Sequence, residues 1–213
     1  MAQTERVGAQ DQWSRRRSDG VAAGAGLIVL VAGMLIARDR TVPDAEESLF
    51  HAINDLPGAL YPALWPVAQL GVLVVGPIVA VVAAIVRRYR LAVAALLATV
   101  LKLVLERLVK SFVTRERPGT SVGRDIETRG DVHLDGASFV SGHAVLVTTL
   151  AGIITPYLPG RWKTAPWIVV ALVAFARVYV GAHNPLDVVC GVGLGLVIAG
   201  GLNLALGVPK QRN

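Results

Sequence analysis

The sequence predicts an all-α fold, a bundle of six membrane-spanning helices, and three observations support that prediction. Hydrophobic residues make up 54% of the 213 positions and charged residues only 17%, whereas a soluble domain carries about 25% charged residues. The apolar residues fall in long blocks that reach the roughly 20 residues needed to cross a bilayer. The basic residues cluster in short segments between these blocks.

The six apolar blocks cover residues 21–37, 64–86, 91–113, 139–158, 165–182 and 187–208. The first follows a basic run at residues 15–17, as the core of a signal peptide would. We favour a retained span, because the block ends in Arg38-Asp39-Arg40 and further apolar blocks follow. Only residues 87–90 separate the second and third blocks, which predicts a tight helical hairpin. The predicted membrane domain therefore covers residues 20–208, between polar cytoplasmic tails at 1–19 and 209–213.

The distribution of basic residues predicts the orientation of the bundle. With six spans, both tails and the second and fourth connections lie on one side of the membrane. Those segments hold Arg6, Arg15, Arg16, Arg17, Arg87, Arg88, Arg90, Arg161, Lys163, Lys210 and Arg212. The positive-inside rule makes that side cytoplasmic. We therefore expect a multi-pass plasma-membrane protein with both termini in the cytoplasm, and with the acidic first connection and the long third connection outside.

The net charge of +6 and the pI of about 10.0 would suggest nucleic-acid binding in a soluble protein. Here the basic residues follow the connections between apolar blocks, so the lipid bilayer is the expected partner and nucleic acid is not. The lone cysteine, Cys190, excludes an intrachain disulfide and a cysteine-based metal site, and it is predicted to be a small buried residue. The sequence leaves the oligomeric state open.

Several polar residues are predicted to lie at the outer ends of the spans, although they come from distant parts of the chain. They are Lys110, Arg117, Ser141, Gly142, His143, Arg177, His183 and Asp187. Three cations suit a phosphate group. A glycine at a helix start lets the free backbone N–H groups approach an anion closely. Two histidines can supply a nucleophile and a general acid.

The segment from His183 to Asp187 predicts a helix start. Asn184 is a favoured N-cap residue and Pro185 suits the first helical position. Asp187 then occupies the third helical position, from which its carboxylate can reach back as in a capping box. From there it could hold one ring N–H of His183 and leave the other nitrogen facing phosphorus.

These residues resemble three motifs of the type 2 phosphatidic acid phosphatase (PAP2) superfamily, which includes bacterial polyprenyl-diphosphate phosphatases, glucose-6-phosphatase and vanadium haloperoxidases. The family patterns are Lys, six residues, Arg-Pro; Pro-Ser-Gly-His; and Ser-Arg, five residues, His, three residues, Asp. Here they read Lys110 to Arg117-Pro118, Val140-Ser141-Gly142-His143, and Ala176-Arg177 to His183 to Asp187. All spacings match. Val140 replaces the usual proline and Ala176 the usual serine, and neither is a catalytic group in the family.

The resemblance implies a membrane lipid phosphatase of the bacterial polyprenyl-diphosphate or phosphatidylglycerophosphate phosphatase type. It implies that His183 attacks phosphorus, that Asp187 orients His183, and that His143 protonates the leaving oxygen and then activates water. It also implies that Lys110, Arg117, Ser141, Gly142 and Arg177 hold the phosphoryl oxygens. No metal or other cofactor is then required, because the cations stabilise the developing charge.

Lys102 and Glu106 lie four residues apart in the third span and therefore share a helix face with Lys110. Unpaired charges are unfavourable at the centre of a bilayer. They predict either a charge ladder that positions Lys110 or a purely structural ion pair. The cations could also merely extend from helix ends to the membrane interface, an interpretation that the joint motifs disfavour.

The predicted function is therefore removal of a phosphate from a polyprenyl diphosphate, phosphatidic acid or phosphatidylglycerol phosphate, at the outer membrane face. The third connection, residues 119–138, is expected to select the head group. A lipid phosphotransferase with the same phosphoenzyme, a vanadate-dependent oxidase and a non-enzymatic membrane protein are the alternatives. The six spans argue against the oxidase, because such enzymes are soluble.

Overall fold

The structure is a computed structural model that describes residues 13–132 and 135–210. Most of the predicted N-terminal tail, the last three residues and two residues of the third connection, His133 and Leu134, lie outside the described residues. Nine α-helices and one short two-stranded sheet make up the described fold. The prediction of a helical fold is therefore confirmed.

The helices, in chain order, are α1 (Arg17–Ala37), α2 (Asp44–Asn54), α3 (Tyr61–Ala68), α4 (Val75–Ile85), α5 (Tyr89–Phe112), α6 (Pro118–Ser121), α7 (Gly142–Ile154), α8 (Ala165–Tyr179) and α9 (Pro185–Leu206). Short 3₁₀ turns cover Gly58–Leu60, Gln69–Gly71, Thr155–Tyr157 and Gly160–Trp162. The two strands are β1 (Trp13–Ser14) and β2 (Val208–Pro209). The predicted acidic first connection contains the amphipathic helix α2. The sequence pattern did not predict this helix.

The second predicted span, residues 64–86, is not one continuous helix. Its apolar residues form α3 and α4, and the segments Gly58–Gly71 and Val75–Ile85 are bent by 69° relative to each other. Pro66 lies inside α3 and has no N–H to continue the helical hydrogen bonds. Gly71 lies at the bend, and a Cβ there would lie 2.7 Å from the Cβ of His143. The bend therefore brings a glycine against a predicted site residue.

The first and last helices pack closely against each other through small residues. A Cβ on Gly26 of α1 would lie 2.4 Å from the carbonyl oxygen of Gly193 in α9. Cys190 is fully buried where α9 meets Gly33 of α1, as predicted for a small buried residue. Its burial confirms a packing role for the only cysteine.

One end of the bundle gathers the two ends of the described chain and the second connection. β1 pairs antiparallel with β2, with Trp13 opposite Pro209. Arg90 donates a hydrogen bond to the Leu206 carbonyl (2.6 Å) and lies 4.1 Å from the centre of the Trp13 ring. The N-terminal tail, the second connection and the C-terminal segment are therefore in contact. The distribution of basic residues predicted that all three lie on the same side of the membrane.

Two of the described helices, Arg17–Ala37 and Pro185–Leu206, are long and apolar enough to cross a membrane, and the bent α3–α4 pair gives a third candidate span. The helix α5 is longer, but it carries Lys102, Glu106 and Arg107 within its apolar stretch. Large hydrophobic side chains cover the outer faces of α1, α4 and α5, including Ile28, Ile78 and Val100. An exposed apolar surface of this extent is typical of a protein surrounded by lipid.

Candidate active site

A single cavity of about 610 Å³ contains most of the polar residues that the sequence singled out. Its lining includes Lys102, Glu106, Lys110, Arg117, Gly142, His143, Arg177 and His183. Ser141 and Asp187 are fully buried next to these residues rather than in the lining. The structure thus brings together residues from α5, α7, α8 and α9 that lie up to 85 positions apart in the chain.

The start of α7 forms one wall of this cavity. Ser141 is the N-cap residue and Gly142 the first helical residue, as predicted. A Cβ on Gly142 would lie 2.6 Å from Oε2 of Glu106, so only glycine lets that carboxylate approach the backbone so closely. The Ser141 N–H donates to the Asp187 carbonyl (3.0 Å), which ties the start of α7 to the start of α9.

The predicted capping arrangement at the start of α9 is present. Asn184 is the N-cap and Pro185 the first helical residue, and the Asn184 N–H donates to Oδ2 of Asp187 (2.9 Å). This contact holds the Asp187 carboxylate against the turn that carries His183. His183 and Asp187 are both buried, and of the two only His183 lines the cavity.

Asp187 lies beside His183, as predicted, but the distance between the two side chains is longer than a direct hydrogen bond. His183 Nδ1 and Asp187 Oδ2 are 3.8 Å apart, beyond hydrogen-bond distance. The Ser138 hydroxyl lies between them, donating to Asp187 Oδ2 at 2.5 Å and lying 3.2 Å from His183 Nδ1. The same oxygen of Asp187, Oδ2, also accepts a hydrogen bond from the Asn184 N–H.

A fully buried arginine, Arg115, holds the far side of the Asp187 carboxylate. Its Nη1 donates to Asp187 Oδ1 (3.2 Å) and to Glu46 Oε1 (2.9 Å), and Glu46 in turn accepts from the Leu186 N–H (2.9 Å). Burial disfavours the charge on Arg115, but its hydrogen bonds to Glu46 and the charge of Asp187 raise the pKa of the guanidinium overall. Arg115 therefore stays charged and links α2 to the start of α9.

The charged residues of α5 are paired along one helix face, as both interpretations of their spacing predicted. Glu106 lies between two lysines, with Oε2 2.7 Å from Lys102 Nζ and Oε1 2.8 Å from Lys110 Nζ. All three side chains are largely buried and line the cavity. The negative charge of Glu106 is thus paired with positive charge within an otherwise apolar helix, as buried charges require.

Two buried donors near the cavity have no protein partner among the described residues. They are Nε of Arg177 and the hydroxyl of Ser141. Arg117 makes one hydrogen bond, from Nη1 to the Ala182 carbonyl (3.0 Å). Buried donors are rarely left unpaired in folded proteins. Arg177 lines the cavity, so its unpaired Nε favours an anion there.

Two residues hold the loop between α6 and α7 at the cavity. The fully buried side chain of Asn54 bonds both the N–H and the carbonyl of Glu127, at 2.9 and 2.7 Å. Arg129 donates to the carbonyls of Asn54, Leu56 and Tyr179 at 2.7–2.8 Å. The next residues of the loop, 130–132, line the cavity. The loop therefore contributes to the wall of the site.

The surroundings of His183 determine its charge. Burial lowers the pKa of His183 to about 4, although Asp187 opposes this shift. We therefore expect His183 to stay neutral at pH 5.5, where an ordinary histidine is mostly protonated. The test is NMR of ¹³C-labelled histidine in detergent micelles, with His183→Asn identifying the signal. A titration midpoint near 6.5 would contradict this prediction.

Sequence reasoning missed Ser138, Arg115, Glu46 and the loop fasteners Asn54 and Arg129. Ser138 and Arg115 contact Asp187 from separate loops, and Glu46 of α2 pairs with Arg115. In the sequence, Glu46 was recognisable only as one of the acidic residues of the first connection. The sole signal for Arg115 is its position two residues before Arg117. No pattern in a single sequence assigns a partner to these residues.

Comparison with known proteins relates the chain to membrane phosphatases. Lipid A 4'-phosphatase of Porphyromonas gingivalis is 34% identical over 61 residues, and undecaprenyl-diphosphatase of Sulfolobus acidocaldarius is 47% identical over 60 residues. These matches cover 28% and 27% of this chain. They span only about a quarter of the length of the curated relatives, 26% and 28%.

Two crystal structures share the fold over most of the chain. Aquifex aeolicus LpxE is 25% identical, with a TM-score of 0.65, and the match covers 71% of this chain and 90% of LpxE. A transmembrane PAP2-type phosphatidylglycerolphosphate phosphatase from Bacillus subtilis is 21% identical, with a TM-score of 0.66 and coverage of 84% and 94%. The latter likeness concerns the fold alone.

The family assignment rests on the longest sequence match. The profile of the PAP2 superfamily matches residues 88–207, more than half of the chain. This range contains all three motifs on which the resemblance was based. Together with the spanning helices and the apolar outer surface, these likenesses identify a membrane protein. The chain belongs to the PAP2 superfamily.

Proposed function

We propose that this protein hydrolyses a phosphate monoester or diphosphate on a membrane lipid, through a phosphohistidine formed on His183. The observation that carries the proposal is the presence of two histidines and several cations in one cavity, where the buried Nε of Arg177 has no partner among the described residues. Five cationic side chains and two carboxylates line that cavity. Such an excess of positive charge favours a phosphate group. The relatives named above are called phosphatases of lipid A and of undecaprenyl diphosphate.

The proposed reaction has two displacements. In the first, a ring nitrogen of His183 forms a bond to phosphorus while the bond from phosphorus to the lipid oxygen breaks. His143 donates a proton to that leaving oxygen. In the second, His143 accepts a proton from water, the water oxygen bonds to phosphorus, and the bond from phosphorus to His183 breaks. Lys110, Arg117 and Arg177, with Ser141 and the backbone N–H groups near Gly142, would hold the phosphoryl oxygens.

The membrane setting supports a lipid substrate. We propose six spans, formed by α1, the bent α3–α4 pair, α5, α7, α8 and α9. Both described ends meet in the β1–β2 pair, which suits an even number of spans. The basic second connection contacts that same end, which the positive-inside rule makes cytoplasmic. The cavity would then open on the outer side of the plasma membrane, where the outer loop, residues 119–138, would help to select the head group.

A phosphate-release assay on the purified protein tests this function. The substrates are polyprenyl diphosphate, phosphatidic acid, phosphatidylglycerol phosphate and a soluble phosphomonoester, each with and without a lipid alcohol as acceptor. We expect free phosphate from at least one lipid, and none with the His183→Asn variant purified in parallel. Transfer to the acceptor in place of free phosphate would indicate a phosphotransferase. The absence of turnover with every lipid would contradict the proposal.

Glu106 is proposed to position Lys110 for phosphate binding. In Glu106→Gln, both lysines lose their charged partner, and Lys110 is no longer held at the cavity wall. We expect kcat/KM to fall about tenfold or more, because hydrogen bonds between charged groups are worth about 1.5–3 kcal/mol. The measurement is steady-state phosphate release together with thermal unfolding.

The matched control for this prediction is Arg107→Gln. Arg107 is the next residue of α5, but its side chain is exposed and lies outside the cavity. This variant should retain activity within about twofold, as surface substitutions usually do. Normal activity of a folded Glu106→Gln protein would contradict the positioning role and would show that the ion pair of Glu106 is purely structural.

A further inference from the structure

We infer that Ser138 is a positioning residue for the proposed nucleophile, and that it, rather than Asp187, contacts the imidazole of His183 directly. This inference rests on the proposed function. Ser138 belongs to none of the three family motifs, and it lies three residues before Ser141. Its side chain is fully buried between the carboxylate and the ring.

The geometry determines which atom carries each hydrogen. Asp187 is paired with Arg115 and also accepts from the Asn184 N–H, so it is an ionised acceptor. The single hydroxyl hydrogen of Ser138 must therefore point to Asp187 Oδ2, 2.5 Å away. The hydroxyl oxygen keeps only acceptor capacity for His183 Nδ1 at 3.2 Å. Nδ1 must then carry a hydrogen, and Nε2 keeps the free lone pair.

Ser138 is itself held in place by the backbone. Its N–H donates to the Arg115 carbonyl (2.8 Å), and the neighbouring residues Glu116 and Ala137 form an isolated antiparallel bridge. The segment that supplies Arg115 to one side of Asp187 therefore also positions Ser138 on the other side. Neither the hydroxyl nor the carboxylate needs to reorganise during the reaction.

This arrangement stabilises the imidazole ring during the attack on phosphorus. When Nε2 forms its bond to phosphorus, the ring gains positive charge and the Nδ1–H becomes a stronger donor. Ser138 accepts that N–H without a proton leaving the ring, and its own O–H remains directed at the negative charge of Asp187. The serine thus holds the reactive tautomer and conveys the stabilising effect of the carboxylate to a ring 3.8 Å away from it.

The direct test is ¹⁵N NMR of histidine-labelled full-length protein in detergent, with His183→Asn identifying the signal. The wild-type protein should show Nδ1 protonated and Nε2 unprotonated at pH 7.5. In Ser138→Ala, the ring loses its contact at Nδ1, and we expect a mixture of tautomers. A wild-type ring with its hydrogen on Nε2 would overturn the inference, whether or not the variant folds.

The kinetic test uses the best lipid substrate of the phosphate-release assay. Ser138→Ala should lower kcat about 10- to 100-fold with KM within about twofold, the range expected for the loss of a hydrogen bond to a charged group. Ser121→Ala is the matched control, because Ser121 bonds Asn184 in the same region but does not contact His183. Unchanged kcat and tautomer in a folded Ser138→Ala protein would refute the inference. Failure of the wild type with all lipids would instead refute the proposed function.

Discussion

Replacing His183 with asparagine is expected to lower lipid phosphate release by about 10⁴-fold or more, the scale seen when a catalytic nucleophile is removed. Asparagine keeps a polar side chain at a site that is only 3% exposed, but its amide nitrogen has no lone pair available to attack phosphorus. KM should change little, because the phosphate-binding cations are intact. The measurement is phosphate release from the best lipid substrate, with circular dichroism to verify folding.

The control for this variant is His51→Asn, which changes a partly exposed histidine of α2 that pairs with Asp55. This protein should retain activity within about twofold. A radiolabelled lipid phosphate should leave acid-labile, base-stable label on the wild-type protein and none on His183→Asn. Residual turnover within tenfold of wild type would exclude His183 as the nucleophile.

Replacing His143 with asparagine is expected to have the second-largest effect, and one that depends on the leaving group. With a lipid alcohol as the leaving group, loss of the general acid should reduce kcat about 10²- to 10⁴-fold. With p-nitrophenyl phosphate the leaving phenolate needs no proton, so the first displacement should remain fast. The second displacement still needs a base, so the phosphoenzyme should accumulate. Stopped-flow absorbance should show a burst of about one p-nitrophenolate per enzyme.

The comparison of the two substrates distinguishes acid catalysis from a packing defect. His143 packs against Gly71, so a changed side chain could disturb the bend between α3 and α4. A packing defect would reduce turnover of both substrates equally and would give no burst. An equal loss with the two leaving groups would therefore contradict the assignment of His143 as the general acid.

The local chemistry of the site could be predicted from sequence because helix starts follow short-range rules. Asn184-Pro185 and the third-position Asp187 predicted the start of α9 and its capping contact, and both are present. Ser141 and Gly142 begin α7 as expected. Such contacts involve residues three or four positions apart, so a spacing pattern describes them almost completely. The same reasoning explains why the pairing of Glu106 with Lys102 and Lys110 could be expected from their spacing.

The prediction was less accurate where distant segments meet. The apolar pattern of residues 64–86 indicated one span, but α3 and α4 are bent apart at a break that brings Gly71 to His143. Asp187 and His183 lie 3.8 Å apart, and the hydroxyl that contacts both belongs to Ser138, 45 positions before His183. Hydropathy reports how apolar a segment is, and it contains no information about which loop packs against its end.

The sequence alone was enough to indicate a helical membrane protein, the PAP2 motifs and eight of the residues that line the cavity. These properties depend on composition and on short-range spacing, which the chain carries in its order of residues. Only the tertiary structure decided how the proposed nucleophile is supported. Ser138 and Arg115 donate to Asp187 from two different segments, and Glu46 of α2 in turn holds Arg115. Their hydrogen bonds depend on three-dimensional packing, because a buried carboxylate takes whichever donors the fold brings within reach.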